Sequence, residues 1–121
     1  MRLLSLILIG VVALEHLYFL YLEMFAWTAP RTRRAFGTTA EFAEASRTLA
    51  ANQGLYNGFL AAGLVWSLLQ PDAAFALQTT IFFLACVIVA AIYGALSVNR
   101  RILVMQGLPA MLALAAALMA R

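Results

Sequence analysis

"VVALEHLYFLYLEMFAW", residues 11–27, decides how the rest of the chain is read. It is apolar enough to sit in a membrane, yet it carries Glu15, His16 and Glu23. The apolar run begins upstream, so residues 3–27 form one segment, about 37 Å long as a helix. That exceeds the roughly 30 Å of a bilayer's hydrocarbon core. Arg2 followed by apolar residues is also how a secretory signal opens. Here the run continues to Trp27 with no small-x-small cleavage site, and the segment is read as a retained helix.

Composition supports a membrane chain. Hydrophobic residues make up 65% of the 121 positions and charged ones 11%, leaving too little polar surface to cover a soluble core of this size. The eight basic residues are all arginine, and they fall between the apolar segments or at the chain ends. That placement points to topology signals and lipid contacts, with no nucleic-acid partner. The lone cysteine, Cys86, allows no intrachain disulfide and reads as a buried small hydrophobe.

After it, "TAPRTRRAFGTTAEFAEASRT" (28–48) is a polar connection punctuated by Pro30 and Gly37, with capping-box spacing from Thr38 to Glu41. Apolar spans are predicted at about 3–27, 48–69, 73–97 and 102–120, separated by that connection, by "QPD" at 70–72 and by "VNRR" at 98–101. Pro109 is expected to kink the last span. The fold class that follows is all-α, a single-domain integral membrane four-helix bundle. Arg31, Arg33, Arg34, Arg47, Arg100 and Arg101 lie in the first and third connections, against Arg2 and Arg121 on the other side. Positive-inside counting places both termini outside the inner (plasma) membrane and loop 28–47 in the cytoplasm.

At 100° per residue, Ser5, Glu15, His16 and Glu23 share one arc of the first helix about 100° wide, and Tyr18 and Tyr21 point elsewhere. A carboxylate facing lipid costs about 2.5–3.5 kcal/mol or more, so this arc is expected to face protein or water. On the second span Asn52, Gln53, Tyr56 and Asn57 share another arc of about 140°. Beside it runs a stripe of small residues containing Gly54 and Gly58, with Leu55, Phe59 and Trp66 on the side suited to lipid. On the third, Gln78, Thr79, Cys86, Tyr93 and Ser97 share an arc. The two facing arcs are expected to enclose a polar pocket. In it Glu15 is a proton donor or acceptor, His16 a relay, Glu23 a second acid, and Asn52, Gln53, Tyr56 and Asn57 orient a small, lipophilic ligand. Each group also has a structural reading as interhelical glue. Arg31, Arg33 and Arg34 form an anchor on anionic lipid or, more sharply, a contact for a substrate anion.

No metal site is expected: His16 and Glu23 lie about 10.5 Å apart along one helix, too far to share an ion. No cofactor is identified, because haem attachment, P-loop and dinucleotide motifs are absent. Three functional classes fit: a membrane enzyme, a proton-coupled transporter, and an accessory membrane subunit. The small-residue stripe suggests a homo-oligomer, dimer or trimer.

On "ALEHLYFLYLEMFAW", "FAEASRTLAANQGLYNGFLAAGL" and "VNRR" the chain resembles a family of small bacterial integral membrane proteins catalogued as a domain of unknown function. Its layout is also similar to the membrane-associated eicosanoid and glutathione enzymes, which implies a trimer. Arg47, Asn52 and Asn57 echo their glutathione-binding pattern, with Tyr56 where an acid is expected. The layout is similar to that of the membrane styrene oxide isomerases as well, without a histidine in the second helix. In length and helix number it resembles the small multidrug resistance exporters, and that likeness implies that Glu15 is the essential acid of the first helix.

The arginine distribution sets the first test. A reporter fused after Arg121 is expected to be active if it works only outside the cytoplasm, and silent if it works only inside.

Overall fold

The computed structural model describes residues 2–121. It is helical, with no strand among the described residues. The order is α1 (Arg2–Phe25), α2 (Pro30–Phe36), α3 (Ala40–Ala45), α4 (Arg47–Leu69), α5 (Ala73–Ser97), a π-helical turn (Leu103–Gly107) and α6 (Leu108–Met119). Helices α1 and α5 are long and apolar enough to cross a membrane. The chain divides into two compact units: Met1–Leu14 with Leu60–Arg121, and Glu15–Phe59.

The first unit holds the apolar core. Ile9, Val12 and Ala13 of α1 pack with Leu64 of α4, Leu84 and Val87 of α5, and Ala110 and Ala113 of α6. Two features let these helices approach. Ala110, Ala113, Ala116 and Ala117 line the buried side of α6, so little side-chain volume separates it from its neighbours. At Gly63 of α4, an added Cβ would collide with the Phe83 ring of α5. Helix α5 starts where Asp72 accepts a hydrogen bond from Phe75 N at 2.7 Å, an N-cap that turns the "QPD" break into a helix start.

Pro109 lies in the first turn of α6, directly after the π-helical turn. In an unbroken α-helix its ring would strike the carbonyl four residues back, and its missing N–H would orphan that carbonyl. The chain widens instead: Leu108 N bonds Leu103 O, five residues back, and the extra residue in the loop makes room for the ring. The expected site of distortion therefore takes the form of a π-turn ahead of the proline.

The second unit contains the first connection, which is built as two short helices. Gly37 ends α2 at φ 69°, its N–H bonding Arg33 O, a left-handed cap that suits glycine. The N-cap of α3 is Thr39, whose Oγ1 accepts from Phe42 N at 3.1 Å. The expected cap, Thr38, lies one residue too early, and its hydroxyl oxygen is buried with no hydrogen-bond partner among the described residues. Only Ser46 separates α3 from α4. Its Oγ donates to Phe42 O at 2.7 Å and accepts from Trp27 Nε1 at 3.0 Å, while Phe36 meets the Trp27 ring edge-on. These contacts tie the end of α1 to the start of α4.

Packing at the two glycines generates a paired expectation. Gly63→Ala should destabilise by about 1–3 kcal/mol, because the Phe83 ring must move. Gly10→Ala, where an added Cβ meets nothing within 4 Å, should stabilise by roughly 0.5–1 kcal/mol through helix propensity. Thermal unfolding of both variants in one mild detergent reads the contrast.

Candidate functional site

The side of α4 that is buried is set by its small residues. Ala50, Gly54, Ala61 and Leu64 are buried, a spacing of four, seven and three that draws one stripe along a helix. A Cβ at Gly54 would meet Met24 Cγ at 2.8 Å, Glu23 Cβ at 3.0 Å and the Leu20 carbonyl oxygen at 3.2 Å; one at Gly58 would meet Leu20 Cδ1 at 2.6 Å. The backbone of α4 therefore lies against α1 at Leu20–Met24, an approach that only glycine permits.

That contact positions the pair at the centre of the site. Asn57, one turn beyond Gly54, donates its amide Nδ2 to Glu23 Oε1 at 2.5 Å. Glu23 is only 3% exposed, so its carboxyl group meets a donor from another helix where water is excluded. His16 is fully buried two turns earlier on α1, and its ring meets Phe19 edge-on at 5.5 Å. Glu15 is half-buried, and its Oε1 is buried and accepts no hydrogen bond from any described residue. Tyr18 and Tyr21 are exposed, as a single inward arc on α1 requires.

The two expected arcs do not close on each other. Asn52, Gln53 and Tyr56 are exposed, because the packed stripe is centred roughly 160° from Asn52 at 100° per residue. Asn57 alone of the four lies beside that stripe. Across the two arcs, Glu23 of the first meets Asn57 of the second. The arc on α5 is largely self-contained. Thr79 Oγ1 donates to the carbonyl oxygens of Phe75 and Ala76, Ser97 Oγ donates to Tyr93 O, and Gln78, Tyr93 and Ser97 are exposed. Arg31 and Arg34 are exposed on α2, whereas Arg33 folds back so that its Nε donates to Thr28 O at 3.1 Å. Among the described residues no group of three or more His, Cys, Asp or Glu is placed to hold a metal ion.

Two cavities lie away from the Glu23–Asn57 pair. One, about 400 Å³, is lined by Met24, Phe25, Trp27, Thr28, Arg47, Thr48 and Ala51. The sequence points to arginine contacts at 31–34, and nothing in its spacing marks Arg47 and Trp27 as walls of one cavity. The other, about 360 Å³, lies among Arg2, Ser5, Ser67, Gln70, Thr80 and Arg121 with apolar neighbours.

Fold and site together define an all-helical chain with two helices fit to cross a membrane and a buried acid–amide bond between two helices. The chain belongs to the family described as Protein of unknown function (DUF1304), matched over residues 10–118, which include Glu15, His16, Glu23 and Asn57. It is similar to the uncharacterized protein YpaA of Lactococcus lactis subsp. lactis (strain IL1403), 40% identical over 116 residues, or 94% of this chain and 96% of that protein. No solved structure matches it.

The pair itself can be tested by substitution. Asn57→Ala strands a buried carboxyl group and is expected to cost about 1–3 kcal/mol. Replacing both partners, Glu23→Leu with Asn57→Leu, should cost less than Asn57→Ala alone, since no polar group is then left unpaired. Unfolding midpoints of the three proteins in the same detergent decide this.

Proposed function

We propose that the protein is an integral four-helix bundle of the inner membrane that binds a small lipophilic molecule through the acid-bearing arc of its first helix. Spans at about 3–27, 48–69, 73–97 and 102–120 cross the bilayer, with both termini outside and residues 28–47 in the cytoplasm. The support for insertion is where the apolar surface lies. In the most apolar stretches of α1 and α5 only 28% of residues are buried, whereas a soluble core helix buries its apolar side chains. Leu14, Phe82, Val89 and Leu96 are each more than 60% exposed, a surface that suits lipid and is rare on soluble monomers.

The ligand reading is carried by one observation, the buried Glu15 Oε1 that accepts no hydrogen bond from the described residues. A carboxyl oxygen withdrawn from water without a donor is costly, and such a group inside a membrane span points to function. Within this reading the arc divides its labour. Glu23 and Asn57 lock α1 to α4. Glu15 is the acid or base that meets the ligand, with His16 on the adjacent position of the same helix as its relay. Glu15 and His16 line neither of the two cavities, so the ligand meets Glu15 from the surrounding apolar phase, as a molecule with one polar handle and an apolar body would. Enzymatic turnover of such a molecule is the form of activity that best uses an acid with an imidazole at the next position. Asn52, Gln53 and Tyr56, exposed on a helix read as a span, support covering by a second copy of the chain, giving a dimer or trimer.

Purification from the native membrane in mild detergent tests the ligand. Solvent extraction followed by mass spectrometry is expected to recover a lipophilic molecule from the wild-type protein and not from Glu15→Leu. The same variant should unfold at an equal or higher temperature, because an unpaired polar group has been replaced by an apolar one. Equal recovery from both proteins, or none from the wild type, refutes the binding role of Glu15.

A further inference from the structure

The cavity at the junction of α1 and α4 has walls of two kinds. Met24, Phe25 and Ala51 are apolar, while Thr28, Arg47 and Thr48 supply two hydroxyls and a guanidinium. Trp27 stands between them, its ring held by Phe36 and its Nε1 bonded to Ser46 Oγ. A second cation is held nearby, since Arg33 Nε donates to the carbonyl oxygen of Thr28, a residue of the cavity wall. The volume, about 400 Å³, falls in the range of small-molecule sites, roughly 300–1,000 Å³.

We propose that this cavity binds the phosphate headgroup of an anionic membrane lipid. Arg47 is the charge partner, presenting a planar fork of donors that matches phosphate oxygens. Thr48 and Thr28 add hydroxyl donors, Arg33 adds charge from the flanking turn, and Met24, Phe25 and the Trp27 ring lie along the glycerol and first methylenes. Arg47 also faces Glu44 at 3.6 Å, but both side chains are 64% exposed, and such a surface pair is too weak to withhold the guanidinium from a phosphate. The position suits the ligand. Trp27 follows the end of α1, where an indole sits at headgroup level, and the arginine count places this end on the cytoplasmic side. The inference rests on the membrane reading above and is independent of the Glu15 ligand.

The test uses a Trp66→Phe chain, in which Trp27 is the remaining tryptophan, reconstituted into phosphatidylcholine vesicles containing acyl-brominated phosphatidylglycerol or acyl-brominated phosphatidylcholine. Brominated phosphatidylglycerol is expected to quench Trp27 at a lower lipid fraction than brominated phosphatidylcholine. Arg47→Gln should weaken that preference about fivefold, the effect of one headgroup-contacting arginine. Arg100→Gln, exposed in the third connection and lining neither cavity, should change it little. Inorganic phosphate at the same concentration as the headgroups should leave the quenching unaltered. Displacement by inorganic phosphate overturns the lipid assignment in favour of a soluble anion. Equal quenching by the two lipids, or equal loss in the two arginine variants, overturns the site. Flotation separates this from the underlying reading: a chain that fails to float with vesicles refutes membrane insertion, whereas one that floats without anionic preference refutes this site alone.

Discussion

The close approach of α4 to α1 at Gly54 is the constraint on which the candidate site depends. Only a hydrogen at that α-carbon leaves room for the Leu20 carbonyl and the Glu23 and Met24 side chains. Once the two backbones lie this near, Asn57 comes within hydrogen-bonding reach of Glu23, and a carboxyl group is tolerated where lipid or protein would otherwise reject it. The glycine acts through the distance between helices, and the amide acts through the bond that this distance allows. Neither explains the site without the other.

Elsewhere the helices meet their polar obligations locally. Thr79, Ser67 and Ser97 return their hydroxyls to carbonyls of their own helices, and the π-turn before Pro109 absorbs a defect that would otherwise orphan a carbonyl. These devices leave the core of the first unit free to be apolar and close-packed, with alanines on α6 and a ring seated over Gly63. Polar chemistry that reaches between helices is concentrated in the second unit, where Glu23 meets Asn57 and Trp27 meets Ser46. Glu15 stands apart from both patterns, since among the described residues its buried oxygen is served neither by its own helix nor by a neighbour. In the proposed reading that difference separates a group kept for binding from groups kept for assembly.

Periodic and local features were legible in the sequence. The apolar runs, the breaks at Pro30–Gly37, "QPD" and "VNRR", and the arc that keeps Ser5, His16 and Glu23 on the buried side of α1 all follow from spacing along one helix. The family membership was legible in the same residues. The cap at Thr39 rather than Thr38 shows the limit of such reading: two adjacent threonines offer the same chemistry, and backbone geometry selects one.

Tertiary structure decided which face of α4 turns inward. A polar arc and a small-residue stripe lie side by side on that helix, and hydropathy favours burying neither. Packing chose the stripe, because close contact between backbones requires small residues. Asn57 was carried inward at its edge, while Asn52, Gln53 and Tyr56 were left exposed. The cavity beside Trp27 was decided in the same way. Its walls come from residues 24–28 and 47–51, two stretches distant in sequence, and no periodicity within either could reveal a space that exists only where they meet.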